Sequence, residues 1–416
     1  MSLPRLLAGV DRAGPLGLER HLAVHGPLPD PGPALVHAVR ESGLRGRGGA
    51  AFPTGVKLGA VAARRGPRIV LVNAAEGDPG SAKDRVLLGT SPHLVLDGAL
   101  LAAGAIAARR VVVAVPESAA AALEAVRFAI RERGASRRIQ VAPVPAAYLA
   151  GEESALIRHL DGGPLKPTVV PPLPAQRGLR RRPTLVQNPE TLAHVALIAR
   201  HGPDWFRAVG TEGHPGSALV TLSGAIVRPG VQEVALGVPI ETVLTAAGGL
   251  SEPLRALLVG GYHGAWIDAA AAPGLTLDDP ALRDHGTSLG AGIVLALGAG
   301  ACPAQELTQG LTWLAAQSAG QCGPCRNGLP GLARLMAALT AGAPAPHTHE
   351  LLARWQGDLV GRGACHLPDG AVRFLSSGLR VFASEITAHE QHGPCPACRR
   401  PTSIPVPRLS EGAVAA

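Results

Sequence analysis

Between residues 68 and 200 the apolar positions of this chain change period in a regular way. Residues 68–73 (R-I-V-L-V-N) form a continuous β-branched run after Pro67, the pattern of a strand buried on both faces. A helical stretch over 93–107 follows, then a second apolar strand over 111–115. A helix is expected from 117 to about 133, with Pro116 at its start, where a missing N–H costs nothing, and a third strand near 139–142. This β-α-β-α-β order predicts a parallel, doubly wound sheet. In such sheets ligands bind beyond the carboxyl ends of the strands, and residues 73–84 (N-A-A-E-G-D-P-G-S-A-K-D) occupy that place after the first strand. Another helix is expected to start near Gly151. Residues 162–184, rich in Pro and Gly, read as a wrapping loop ahead of a helix over 189–200.

Around residue 210 the pattern shifts to short strands, at 218–227, 230–234 and 257–260, with a helix over 240–247. This suggests a small β-grasp-like insert ending near 297. From Gln305 onward the leucines recur at helical spacing, and the tail after Cys398 reads as loose. The expected organisation is an α/β domain over 1–209, a β-grasp-like domain over 210–300, a helical domain over 301–400 and a flexible tail over 401–416. The uncharged stretch near 285–305 contains Gly286, Gly290, Gly292, Gly298, Gly300 and Pro303, which makes it a poor spanning helix. The N-terminus has no apolar core of signal-peptide length before Asp11, so a cytoplasmic protein is expected.

Composition narrows the function classes. With 46% apolar residues in 416, the chain has ample material for buried cores. Its 11 aromatic residues offer few faces for stacking successive bases, which argues against a nucleic-acid binder despite a net charge of +8. Of 39 basic residues only Lys57, Lys83 and Lys166 are lysines, so the excess is scattered arginine, suited to a solvated surface or an acidic partner. All six cysteines (302, 322, 325, 365, 395 and 398) lie late in the chain, pointing to a local site in a reducing compartment.

Three groups of residues carry candidate chemistry. Residues 43–57 are dense in glycine, so backbone N–H groups could approach an anionic ligand, with Lys57 as counter-charge. The arrangement is not a Walker loop, since no Gly precedes and no Ser or Thr follows that lysine. Glu76, Asp78, Lys83 and Asp84 cluster after the first strand, and Glu152 and Glu153 sit at a helix start, where they serve either the helix N-terminus or ribose and ribityl hydroxyls. Nothing resembles a nucleophile–base–orienter set, so chemistry carried by a bound redox cofactor fits better. Finally, Cys322-G-P-Cys325 with Cys365, and Cys395-P-A-Cys398, are thiolate pairs able to hold zinc or an iron–sulfur cluster.

In combination these segments resemble the NADH-binding, FMN- and 4Fe–4S-containing flavoprotein subunit of respiratory complex I and its relatives in NAD-linked hydrogenases and formate dehydrogenases. The resemblance covers residues 35–392 and rests on S-G-L-R-G-R-G-G-A-A-F-P-T-G-V-K (42–57), V-N-A-A-E-G-D-P-G-S-A-K-D-R (72–85), A-Y-L-A-G-E-E-S-A-L-I (147–157), P-A-Q-R-G-L (174–179), P-T-L-V-Q-N-P-E-T-L-A (183–193) and C-G-P-C-R-N-G (322–328), which stand in the family's order. V-T-L-S-G-A-I-V-R-P-G (220–230) looks like the opening of the family's β-grasp SLBB insert.

The resemblance implies a Rossmann-like FMN domain, the SLBB insert and a helical bundle carrying the iron–sulfur site. It implies that Gly46, Gly48, Gly49, Phe52, Lys57, Asn73, Glu76, Asp78, Tyr148, Gly151, Glu152, Glu153, Asn188 and Thr191 surround the cofactors, and that Cys322, Cys325 and Cys365 ligate the cluster. Hydride would pass from NADH to FMN and single electrons to the cluster. The implied partners are other redox subunits, ferredoxin-like or thioredoxin-like with a 2Fe–2S centre, in an assembly to which this chain is peripheral and which it does not itself anchor by a membrane span.

Departures from the family pattern bear on two of these expectations. The family's first cluster ligand is replaced by Ala319, leaving Cys302, Cys395, Cys398 or His366 to complete the site, or a three-iron or labile cluster, or none. On the nicotinamide side Phe52 matches one stacking aromatic, but Ala60 and Leu173 replace two others, Val170 replaces a basic residue and Ala75 an acidic one. NADH use therefore rests on fewer matching residues than FMN binding. The alternatives are a redox subunit with a non-NADH partner such as ferredoxin, and a non-catalytic scaffold stapled by zinc.

Overall fold

The computed structural model describes residues 3–11, 14–168 and 170–407. Two compact units emerge. The first comprises residues 1–77, 82–220 and 231–238, and the second residues 78–81, 221–230 and 239–416.

The first unit is built on four strands: β1 (Arg68–Asn73), β2 (Ala108–Pro116), β3 (Ile139–Val144) and β4 (Thr184–Gln187). They lie in the order β3-β2-β1-β4, and every pairing is parallel. Around them run α1 (Leu18–His25), α2 (Ala34–Glu41), α3 (Thr54–Ala62), α4 (Lys83–Thr90), α5 (Pro92–Ala105), α6 (Ala120–Glu132), α7 (Glu153–Leu160), α8 (Pro174–Arg177), α9 (Pro189–His201) and α10 (Pro203–Arg207). Along β1, Val70 and Val72 enter one core with the helices α5 and α9, while Ile69 and Leu71 enter another with Leu156 of α7. Burial on both faces is why this strand reads as an unbroken apolar run.

Some elements differ from expectation. Pro116 closes β2 instead of opening α6, because it lies at the strand's last position, where no further ladder bond is needed. Between the wrapping loop expected over 162–184 and the helix after it lies β4, beginning at the loop's last residue, a four-residue strand too short to show a period. Its presence matters, because β1 leads onward to β2 on one side while β4 adds on the other. The crevice where ligands bind in such sheets therefore falls between the carboxyl ends of β1 and β4. Helix α5 is apolar almost all round because it is buried: a Cβ on Gly98 would lie 1.8 Å from the backbone oxygen of Leu192 in α9. Among the described residues no single helix is long and apolar enough to cross a membrane.

The chain passes into the second unit within β5 (Ser217–Gly224) and returns to the first for nearly all of β6 (Gly230–Ala235); the second unit then continues with α11 (Ile240–Ala246), β7 (Leu254–Val259), β8 (Ala265–Asp268), α12 (Asp279–Asp284) and β9 (Ile293–Gly298). Here β9 pairs in parallel with residues 221–224 of β5, and β7 runs antiparallel to both β8 and β9. The uncharged stretch near 285–305 is thus a central strand and the start of a helix. Five helices complete this unit: α13 (Pro303–Ala316), α14 (Leu329–Thr340), α15 (Thr348–Leu359), α16 (Leu367–Val381) and α17 (Ala383–His392). Tyr262, Trp266, Trp313, Phe374 and Phe382 pack together with ring centroids 4.9–5.9 Å apart, so many of the scarce aromatics form this core.

The tail expected to be loose is tied down over its first residues. Ile404 is buried, and the N–H groups of Ser403 and Ile404 donate to the Glu306 carboxylate at 2.6 and 3.0 Å. The remainder, 408–416, lies outside the described residues.

Candidate functional site

The carboxyl ends of β1 and β4 gather residues from five separated segments of the first unit. Asn73 ends β1 and donates from Nδ2 to the Gly151 oxygen at 2.9 Å, tying the first strand to the turn ahead of α7. Gly77 and Tyr148 approach so closely that a Cβ on Gly77 would lie 2.6 Å from the Tyr148 backbone oxygen, and one on Gly151 would lie 3.0 Å from that of Ala75. These two glycines are therefore set by backbone contact, and a side chain at Gly77 must push the two loops apart. A Gly77→Val protein should be purified with at least a severalfold lower flavin-to-protein ratio than the parent, measured by flavin release; an unchanged ratio would show that this contact does not shape the pocket.

Asn188 follows β4 and N-caps α9, accepting from the Glu190 N–H at 2.9 Å, while its Nδ2 donates to Asp84 at 2.5 Å. The glycine loop lies against it: a Cβ on Gly48 would sit 3.3 Å from Asn188 Cβ. The Arg47 N–H donates to the Thr191 hydroxyl at 2.9 Å, and the guanidinium of Arg47 reaches the Ser217 oxygen at 3.0 Å. Thr191 is fully buried, so it positions the loop. Gly46 donates its N–H to the Phe52 oxygen, closing the loop on itself. Gly49, with φ +107° and nothing within 4 Å of an added Cβ, faces open space in a conformation that favours glycine.

The charged residues divide into two sets. Lys57 Nζ meets Glu153 Oε2 at 2.8 Å, and both side chains are partly exposed. Glu152 N-caps α7 through the Ala155 N–H at 2.7 Å, and Glu76 accepts the N–H groups of Asp84 and Arg85 at 3.0 and 3.3 Å. Lys83 is different. It is buried, with Nζ 2.7 Å from Asp84 and 2.9 Å from Glu190. Burial works against its charge, but the two carboxylates outweigh burial and hold its pKa above the ordinary lysine value. Lys83, singled out in the sequence for lying in a cofactor loop, is an internal counter-ion, and Glu190 is a partner that the sequence reading missed.

Asp78 does not join this group. Its carboxylate accepts the N–H groups of Gly80 and Tyr262, each at 2.9 Å, within the second unit. On α3, Val56 and Ala60 are exposed one turn apart, with the exposed Phe52 just before the helix. Leu173, at the start of the neighbouring α8, and Val170 are exposed as well.

A flavin phosphate fits these donors: the N–H groups of a loop open at Gly49, and the ammonium of Lys57. Thr54 Oγ1 and Gln187 Nε2, at the start of α3 and the end of β4, are buried without hydrogen-bond partners, as polar atoms awaiting a ligand would be. Neither residue carried a sequence signal of its own.

In the second unit Cys322 precedes and Cys325 lies within a wide helical turn (Pro324–Gly328) leading into α14, and Cys365 precedes α16. Burial raises the Cys325 thiol, and the neighbouring Cys322 and Cys365 push it further, to about 12. Burial also acts on Cys322, but the backbone of Ala364 and Cys325 outweighs it and leaves that thiol below its ordinary value. The three cysteines thus form one neighbourhood of three sulfur donors, which suits an iron–sulfur cluster. Ala319 is buried and brings only a methyl group. The other three cysteines, expected as candidates for the missing ligand, are engaged elsewhere: Cys302, Cys395 and Cys398 gather around His389.

Comparison with known proteins agrees with this division. The Nuo51 FMN-binding domain model matches residues 39–197, and that of the NADH-ubiquinone oxidoreductase-F iron–sulfur binding region matches residues 306–389. The F 2 subunit of NADH-quinone oxidoreductase from Rhizobium meliloti (strain 1021) is 32% identical over 87% of this chain and 90% of its own length. The corresponding F subunit of Streptomyces coelicolor (strain ATCC BAA-471 / A3(2) / M145) is also 32% identical, over 91% of this chain and 87% of its own. Among solved structures, a chain of an NAD+-reducing NiFe-hydrogenase in the H2-reduced state superposes with a TM-score of 0.83 at 31% identity, covering 94% of this chain and 67% of that one.

Proposed function

The chain belongs to the family of NADH-quinone oxidoreductase F subunits, with its FMN-binding and iron–sulfur regions, and from that premise we propose how its own residues serve electron transfer from NADH. FMN, when bound, accepts hydride and releases electrons singly to the iron–sulfur centre.

The residues around the crevice divide the binding work. The N–H groups of Gly48 and Gly49, in a loop held by the Gly46–Phe52 and Arg47–Thr191 bonds, and the Lys57 ammonium hold the phosphate, with Lys57 exchanging part of its pairing with Glu153 for the anion. Asn73, Glu76 and Asn188, fixed by bonds to Gly151, to the start of α4 and to α9, present polar edges to the ribityl chain and ring. Tyr148 and Gly151, packed against Ala75 and Gly77, line the crevice beside the end of β1. Glu152 acts through the helix it caps. Cys322, Cys325 and Cys365 are the cluster ligands.

The observation that carries this reading is the convergence of five segments on the β1–β4 crevice, with Thr54 Oγ1 at the start of α3 and Gln187 Nε2 at the end of β4 buried without partners. Titrating the purified protein anaerobically with NADH should bleach the flavin absorbance stoichiometrically. Bleaching by dithionite but not by NADH would overturn the assignment of the donor and favour a ferredoxin-type partner. Colourless protein would overturn the flavin itself.

Nicotinamide binding rests on Phe52, half-exposed beside the small or aliphatic Ala60 and Leu173. One stacking aromatic contributes about 0.5–1.5 kcal/mol, so Phe52→Ala should raise the KM for NADH about 2–10-fold with little change in kcat. An unchanged KM would place the dinucleotide elsewhere. The electrons would leave to a ferredoxin-like or thioredoxin-like 2Fe–2S subunit, in a cytoplasmic assembly or one peripheral to a membrane complex. Functionally, residues 1–209 would bind flavin, 210–300 form the SLBB-like insert and 301–400 hold the cluster.

A further inference from the structure

Outside the iron–sulfur neighbourhood the second unit holds another set of soft ligands. Cys302 is the N-cap of α13, His389 lies in the last turn of α17, and Cys395 opens, and Cys398 lies within, the short turn Pro396–Arg399 that follows Gly393. Their four ligand atoms all lie within 4.8 Å of one another, the one such set among the described residues. Cys302 Sγ is 3.1 Å from Cys398 Sγ and 3.6 Å from His389 Nε2; Cys398 Sγ is 3.8 Å from Cys395 Sγ and 3.9 Å from His389 Nε2. With metal–sulfur bonds of about 2.3 Å and metal–nitrogen bonds of about 2.0–2.1 Å, a tetrahedron has S···S edges of about 3.8 Å and S···N edges of about 3.6 Å. Three of the four separations, 3.6–3.9 Å, match these edges, and the Cys302–Cys398 pair at 3.1 Å is closer than a bound ion would set it. Ligands of a four-iron cluster stand well outside it, because the cluster itself separates them.

The imidazole is oriented for this role. His389 Nδ1 lies 2.9 Å from the backbone oxygen of Thr340, at the end of α14. Donating there fixes the tautomer in which Nε2 keeps its lone pair and faces the sulfurs, the outer arrangement of a metal-bound histidine. The Cys395 N–H, 3.4 Å from Nε2, is a long and weak competitor for that lone pair. A close approach supports the ring's helix: a Cβ on Gly342 would lie 2.5 Å from the His389 oxygen. Three of the four ligands, Cys302, Cys395 and Cys398, also fall outside the matched iron–sulfur region, which spans residues 306–389 and contains Cys322, Cys325 and Cys365.

We infer that Cys302, His389, Cys395 and Cys398 form a closed, structural zinc site, separate from the iron–sulfur cluster, which staples the C-terminal segment to the start of α13. All four positions are taken by protein, so the ion has no open coordination and no part in the redox chemistry. The segment it would fasten continues to the Glu306 contacts of Ser403 and Ile404 and to the hydrogen bond from the Tyr262 hydroxyl to the Pro405 oxygen at 2.8 Å. This inference stands independently of the flavin reading.

Metal analysis of the whole protein, purified anaerobically without chelator, tests it. About one zinc per chain is expected beside flavin and iron. Cys398→Ala and His389→Ala should each lower zinc by roughly tenfold or more while iron and flavin persist, and Cys322→Ser should do the reverse. Should those variants fail to fold, the zinc-edge X-ray absorption of the parent protein decides, with three sulfurs and one nitrogen expected. Zinc that is absent and not restored by added zinc, iron in its place, a different ligand shell, or zinc that survives Cys398→Ala in folded protein would each overturn the assignment.

Discussion

A Cys365→Ser protein is expected to lose its cluster iron while keeping its flavin. Loss of an outer-shell partner alone commonly costs about 10–100-fold in metal affinity, and removal of a direct ligand should exceed that. The site has little reserve, because Ala319 contributes no donor and the remaining cysteines are gathered around His389. NADH should still bleach the flavin, but electrons should no longer reach a one-electron acceptor that depends on the cluster. Iron analysis and low-temperature EPR, with flavin absorbance as internal control, check both halves. Iron retained at the parental level would show that Cys365 is not a ligand. The converse substitution, Ala319→Cys, should increase the iron retained through purification, since it adds a thiol beside three existing ones; a decrease would show that the loop cannot turn a side chain at 319 inward.

The second large effect concerns Lys83. Methionine fills a similar volume without charge, so Lys83→Met leaves Asp84 and Glu190 facing each other in a buried site with no lysine between them. Breaking a buried ion pair from one side typically costs about 3–5 kcal/mol, which is a large part of an ordinary domain's stability. Arg47, with Nε 3.7 Å from Glu190, offers only partial compensation. The expected result is a marked fall in the denaturant midpoint together with lower flavin content, because Asp84 also holds Asn188 and Glu190 lies in the first turn of α9. Adding Glu190→Gln should recover part of the loss by removing one uncompensated charge. A change below about 1 kcal/mol in Lys83→Met, the range of exposed pairs, would contradict the role given to this network.

These two sites differ in how far the sequence discloses them. Cys322, Cys325 and Cys365 announce themselves by residue type and by C-x-x-C spacing, because thiolate pairs on a turn have few other uses. Lys83 is equally visible as a rare lysine, yet its loop position suggested a ligand contact, whereas burial makes it a counter-ion. The distinction turns on Glu190, which is 107 positions away in the chain and meets Lys83 only because α4 and α9 both begin near the carboxyl ends of adjacent strands. Glu152 shows the same ambiguity. A carboxylate at a helix start is both a cap and a possible ligand, and the structure shows the cap, through the 2.7 Å bond from the Ala155 N–H to Oε2.

The sequence by itself determined the parallel sheet, the glycine-rich and strand-end loops beside it and the late cysteine region, because period, glycine density and cysteine spacing are local properties. It also carried the family, through motifs standing in order along most of the chain. Only the tertiary structure decided that β4 creates the crevice beside β1, that Asp78 belongs with the second unit, and that the tail through Pro405 is docked. It alone gathered Cys302, Cys395 and Cys398 around His389. Cys302 and Cys398 are 96 positions apart, and His389 carries no spacing signal toward either; their meeting depends on how α13, α14 and α17 pack, which is fixed by buried apolar contacts that linear spacing does not encode.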